Sequence, residues 1–125
     1  MGSKDQLNTL FKKYELEKED TFKHKHYNII CRSGIDKIMA KAGIHIEYSL
    51  EHYNPELKTC IIKATGYKQD VTIETYGECS PENNRNAYVV ALAEKRAMSR
   101  VVLKLCGFYE LGGVFGEDEA DSFKK

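Results

Sequence analysis

The stretch AYVVALAEKRAMSRVVLKLCG, Ala87 to Gly107, reads as one helix that is apolar on nearly every side and yet carries Lys95, Arg96, Arg100 and Lys104. At the helical period, Ala87, Val90, Ala91, Ala97, Met98, Val101, Val102 and Leu105 form a wide apolar arc, the natural face for packing on a sheet. Arg96, Arg100 and Lys104 step along the opposite side at i, i+4 and i+8, and Arg85 falls near the same azimuth. Val89, Leu92 and Leu103 are interleaved with these cations, a mixture that suits contact with a second surface, a phosphate backbone or another subunit. The plainer alternative is solvated cations, which the macrodipole favours near a helix C-terminus. Glu94 lies inside the apolar arc, where a carboxylate needs a cationic partner or a route to the edge of the core.

Upstream of this helix, Ser80 with Pro81 predicts an N-cap and first helical residue, with Asn83 or Asn84 as a second cap. Before that come three strand patterns, IHIEYSL, LKTCIIKATGY and VTIETYGEC, separated by the turns HYNPE and GYKQD. Connections this short predict an antiparallel meander. Further back, Ile35, Ile38, Met39 and Ala42 mark a helix with Ser33 as its cap and Gly43 as its stop. Tyr27 to Cys31 suits a short strand, and Leu7, Leu10, Phe11 and Tyr14 mark an N-terminal amphipathic helix. The expected fold is α+β. A three-stranded antiparallel sheet packs on a long C-terminal helix, in the α-β-β-β-α order of double-stranded-RNA-binding-like (dsRBD-like) domains. Residues 1–22 are expected as a polar helical segment, 23–109 as the single α+β domain and 110–125 as a Gly-rich acidic tail.

The 125 residues suit one core, and the apolar fraction of 42% is ordinary for a globular chain. No apolar run approaches the ~18 residues of a membrane span. The first twenty residues are charged and lack an apolar signal core, so a cytoplasmic location is expected. Cys31, Cys60, Cys79 and Cys106 are irregularly spaced with no CxxC pair, which predicts reduced packing thiols rather than a zinc site. The net charge of +0 hides an asymmetry. Lys23, Lys25, Arg32, Lys37 and Lys41 face only Asp36 between residues 23 and 45, and Arg85 to Lys104 holds five cations against Glu94. The tail is acidic, with Glu110, Glu117, Asp118, Glu119 and Asp121 against Lys124 and Lys125.

NAYVVALAEKRAMSRVVLKLCGFYELGGVFGEDEAD resembles the C-terminal part of single-strand annealing recombinases, the phage Erf-like and eukaryotic Rad-type proteins. The residues that carry the resemblance are the basic step Glu94-Lys95-Arg96-Ala97, the small-residue turn at Gly107 and the acidic cluster Glu117-Asp118-Glu119, and with the meander it covers residues 44–121. It implies a non-enzymatic, ATP-independent protein with no cofactor. Such a protein binds single-stranded DNA in a basic groove, anneals complements during recombination or repair, and forms a homo-oligomeric ring. It also suggests phage or mobile-element origin, no membrane and no small-molecule substrate. Lys95, Arg96 and Arg100 are the residues it carries over, with Lys63 on the second strand as an addition. Arg85 and Lys104 join them from the helical wheel as candidate nucleic-acid contacts. Tyr48, Tyr53, Tyr67 and Tyr76, in or beside the strands, are either base-stacking platforms or half-buried sheet residues.

Three other chemistries are weighed. Glu78, Glu82, Glu94 and the tail acids would suit Mg²⁺, but no Lys accompanies them in a nuclease-like strand pattern and solvation accounts for them. His24, His26 and Cys31, with His45 or His52, lack an evident fourth ligand and read as structural. A dsRBD-like RNA-binding or protein-interaction module without annealing activity is the principal alternative. Duplex-RNA binders use the N-terminal end of the last helix, where this chain offers only Arg85.

Overall fold

The computed structural model describes residues 3–82 and 88–119. The elements run α1 (Ser3–Lys13), β1 (Thr21–His24), β2 (Tyr27–Ile30), α2 (Arg32–Ala42), β3 (His45–Asn54), β4 (Thr59–Lys68), β5 (Val71–Cys79), α3 (Val89–Leu105) and β6 (Val114–Gly116). Short 3-10 turns lie at Lys18–Asp20 and Tyr109–Leu111. The expected meander is present as an antiparallel sheet in the order β3-β4-β5, and it packs against α3. Asn54 shapes the first turn, its side-chain oxygen accepting the N–H groups of Glu56 and Leu57, both at 3.0 Å. Gln69 and Asp70 form the second, a two-residue loop closed by the Lys68–Val71 pair. Gly43 ends α2 in the left-handed conformation (φ 67°), donating to the Met39 carbonyl.

The architecture departs from expectation in its second layer. A small sheet of order β1-β2-β6 joins the N-terminal hairpin to a strand from the expected tail, β6 running parallel to β2. α3 spans 17 residues and is not the last element, so the expected long C-terminal helix is shorter and internal. The boundaries expected at 22 and 110 run through one core. Leu7 and Tyr14 from the N-terminal segment are buried with Ile30, Ile38, Val102, Phe108 and Val114.

α3 therefore lies between two layers, each contributed by this chain. Ala93, Ala97 and Val101 pack on Cys60, Ile62, Ala64 and Cys79 of the large sheet. Met98, Val102, Leu103 and Cys106 pack into the core formed with α1, α2 and the small sheet. The second apolar side of the helix, expected to meet a neighbour or DNA, is covered from within.

Small residues set the spacing. A Cβ at Gly77 would meet the backbone carbonyl of Ala93 and the backbone nitrogen of Ala97, so glycine lets β5 lie directly on α3. Thr75 Oγ1 then donates to the Ala97 carbonyl at 2.8 Å, a buried pin between strand and helix. On the other side a Cβ at Gly116 would meet Ser99.

Two expected caps are placed differently. α2 begins after Cys31, and Ser33 lies in its first turn with its hydroxyl on Asp20. α3 begins after Tyr88, so Ser80 and Pro81 are not its cap and first residue. Asn83 and Asn84, the second cap, and Ala87 lie outside the described residues.

Candidate nucleic-acid interface

Helix and strand geometry sort the five described candidate cations onto different surfaces. Arg96 is 2% exposed. Its Nε–H donates to the Asp118 carbonyl at 3.1 Å and its Nη1 to the Glu78 carbonyl at 2.8 Å. One turn later, Arg100 donates from Nη1 to the Tyr76 carbonyl (2.6 Å) and forks onto the Glu78 carboxylate at 2.7 and 2.9 Å. Its Nε reaches Glu119 at 2.9 Å, and Nη2 bonds the same carboxylate. All five N–H groups of the guanidinium are thereby used. Burial works against this charge, but Glu78 and Glu119 outweigh it and hold the Arg100 pKa above its ordinary value. The same contact pulls the Glu78 carboxyl below its usual range.

The carbonyls of Tyr76 and Glu78 belong to β5, an edge strand. An open edge invites pairing with another chain, and here two guanidiniums cap it. The acidic stretch after β6 completes the arrangement. Glu117 Oε1 accepts the Arg32 N–H at 2.5 Å, at the N-terminus of α2 where a carboxylate opposes the helix dipole. Asp118 offers its carbonyl to Arg96, and Glu119 its carboxylate to Arg100. Burial and the adjoining Glu117 push the Asp118 carboxyl up. Residues 117–119 thus form a strap across α2, α3 and β5. The sequence held its signal, two arginines a turn apart and a later acidic triplet, but nothing in it said that they meet.

Lys95 and Lys104 are exposed, nine residues apart and therefore half a turn out of phase, on opposite sides of α3. Lys63 lies on the outer face of the large sheet, 3.2 Å from Glu74 and 3.7 Å from Glu51, and the Glu74 carboxylate pushes its pKa up. Arg85 lies outside the described residues. The described five do not form one basic track along α3.

The cross-strand register sorts the tyrosines as well. Residues directly opposite share a face, so Glu47, Lys63, Glu74, Tyr67, Tyr76 and Glu78 lie on the outer face. There carboxylates outnumber Lys63. Tyr48, Leu50 and Tyr53 lie on the face that bears α3, but the helix sits beneath β4 and β5, leaving them 43%, 58% and 48% exposed. Burial and the nearby Glu94 carboxylate push the Tyr48 phenol up, with Arg32 acting in the opposite sense. Glu94 itself is exposed, so the expected problem of a buried carboxylate does not arise.

A further aromatic surface escaped the sequence reading. His26 and Tyr27 are 4.3 Å apart between ring centroids, Tyr27 and Phe115 5.5 Å, and Phe115 and Tyr109 6.4 Å. This series runs from the β1–β2 turn across the small sheet to the Tyr109–Leu111 turn. The pattern was unreadable without the β2–β6 pairing, which joins residues far apart in the chain. Cys60, Cys79 and Cys106 are buried free thiols and Cys31 is partly exposed. Among the described residues no three His, Cys, Asp or Glu side chains converge as a metal site, and no helix is long and apolar enough to cross a membrane. No family model, curated protein or solved structure matches the chain.

Proposed function

We propose that this chain binds single-stranded DNA and anneals complementary strands without ATP, as a homo-oligomer in recombination or repair, with a phage or mobile-element role. The observation that carries the reading is the β3-β4-β5-α3 unit. It is the strand-meander-plus-helix core implied by the resemblance of residues 44–121 to annealing recombinases. The uncovered part of β3, with Tyr48, Leu50 and Tyr53, suits either bases or a second copy of the chain. A dsRBD-like RNA-binding or protein-interaction module is the second reading, favoured by the carboxylates around Lys63, which repel phosphate and suit a protein partner.

Fluorescence anisotropy of a labelled single-stranded oligonucleotide tests the proposal. Affinity should fall steeply between about 50 and about 200 mM salt, as counterions return to the strand. Lys95→Glu/Lys104→Glu is the fitting variant, because both side chains are exposed, and it should weaken binding roughly tenfold or more at low salt. Arg96 and Arg100 substitutions would report on folding instead. Annealing of complementary labelled strands should then proceed without a nucleoside triphosphate. A folded protein that ignores single strands at low salt overturns this reading.

A further inference from the structure

A cavity of about 370 Å³ opens between α1 and the small sheet. One stripe of α1 lines it, Lys4, Leu7, Asn8 and Phe11, at the i, i+3, i+4, i+7 spacing of a single helix face. Lys23, Asn28 and Val114 line the facing wall. They lie directly opposite one another across β1, β2 and β6, and so share one face of the small sheet. We infer that this cavity binds one nucleotide, its phosphate between Lys4 and Lys23 and its base on the apolar floor, with the carboxamides of Asn8 and Asn28 at the base edge. A nucleotide of a single strand and a free mononucleotide carry the same chemistry. The inference goes beyond the reading above, because it holds for either source.

Charge singles this cavity out. Two lysines line it and no acid does. Lys37, Lys41 and Lys63 are each held by a carboxylate. Lys4 and Lys23 are exposed and have no carboxylate partner among the described residues. Two other cavities lack this character. One of about 420 Å³ holds Glu119 beside Arg100, whose N–H groups are already used. Another of about 400 Å³, beside Leu10 and Gly107, is lined by Glu110 and by no cation. Two ammonium groups facing each other across a cleft match the charge of a phosphate monoester.

The rest of the lining chooses among anions. Leu7 and Val114 are buried and Phe11 is half-buried, so the floor is apolar, and an inorganic ion would leave it wet. Asn8 is exposed and Asn28 half-buried, and neither side chain makes a hydrogen bond among the described residues. The acyl chain of a fatty acid would cover these carboxamides without pairing them, which costs free energy. A nucleobase meets both demands. It lays a flat apolar face on the floor and offers donors and acceptors at its edge, and a carboxamide pairs with an adenine edge through two hydrogen bonds. The volume lies at the lower end of small-ligand sites, which suits one nucleotide rather than a longer segment.

Calorimetric titration with deoxyadenosine monophosphate is the first test. Wild type should bind it, and should bind deoxyadenosine and inorganic phosphate more weakly. Lys4→Glu/Lys23→Glu changes two exposed side chains and should weaken the nucleotide roughly tenfold or more. Asn8→Ala should weaken it roughly twofold or more. In wild type, the side-chain amide NMR signals of Asn8 and Asn28 should shift during the titration, a readout that needs no variant to fold. A labelled oligodeoxyadenylate then identifies the source. If the mononucleotide displaces it and the double variant loses both, the cavity takes a nucleotide of a strand. If the double variant loses only the mononucleotide, the cavity takes the free compound. A protein that binds the mononucleotide but ignores single strands removes the proposed function and leaves this inference standing. Strand binding with no mononucleotide binding at millimolar concentration overturns the inference and leaves the function. Mononucleotide binding that the double variant retains, with both amide signals unmoved, also overturns it.

Discussion

Asp20 shows how much one side chain can organise. Its carboxylate is buried and accepts the Glu17 N–H at 2.8 Å, the Ser33 hydroxyl at 2.6 Å and the Lys37 ammonium at 2.6 Å. Burial alone would raise its pKa; these donors overcome that and hold it at about 2. Because the folded value lies below the unfolded value of about 3.9, its contribution is present above about pH 4 and is lost as pH falls towards 2. Asp20→Asn should cost about 1.5–3 kcal/mol at neutral pH, the worth of hydrogen bonds to a buried charge. Urea unfolding of both proteins from pH 7 to pH 2 checks this. The gap between them should close in the acid window, and a constant gap would count against the ionised carboxylate as the cause. The Glu17 contact is local to the 3-10 turn, but the other two donors were not readable in sequence, because Ser33 and Lys37 meet Asp20 only once α2 folds back beside that turn.

At the scale of elements, α3 is defined by what each azimuth touches. Its small residues, Ala93 and Ala97, face β5, and the strand answers with Gly77. Gly77→Ala should destabilise by about 3 kcal/mol or more, since the obstructing atoms are backbone and cannot rotate away. Gly43→Ala is the contrasting substitution: nothing lies within 4 Å of a Cβ there, and only the left-handed φ of 67° resists it, at a cost of about 1 kcal/mol. Thermal denaturation of the two variants separates the causes, and equal losses would mean that the β5–α3 contact is softer than its geometry indicates. The helical wheel located the apolar arc and the row Arg96, Arg100, Lys104. It could not tell that the first two would be used to cap the edge of β5.

For the whole molecule, the two layers are held together by chain ends that composition suggested were peripheral. β6 completes the small sheet, Val114 enters the core, and residues 117–119 strap α2 and α3 to β5. A chain ending at Gly112 would leave β2 with one neighbour and would take three hydrogen bonds from Arg96 and Arg100, those to the Asp118 carbonyl and the Glu119 carboxylate. Its melting temperature should fall by roughly 10 °C or more, with a less cooperative transition. Calorimetry against the full chain checks this, and an unchanged melt would show that β6 rests on a core complete without it.

The sequence by itself determined the local structure: the meander, because alternation and short turns leave strands few other partners, and α2 with its Gly43 stop, because only glycine adopts that backbone cheaply. It also carried the resemblance on which the proposed function rests. The tertiary structure alone decided the β2–β6 pairing, the second core around α3 and the destination of Arg96 and Arg100. Periodicity records which side of an element is apolar, but not what covers it. The three-residue strand Val114–Gly116 is too short to show a period, and its partner lies some eighty residues away. The charge of an arginine likewise reads the same in sequence whether it meets a phosphate, a carboxylate or a strand edge. Only the packing of α3 between two sheets chose among them.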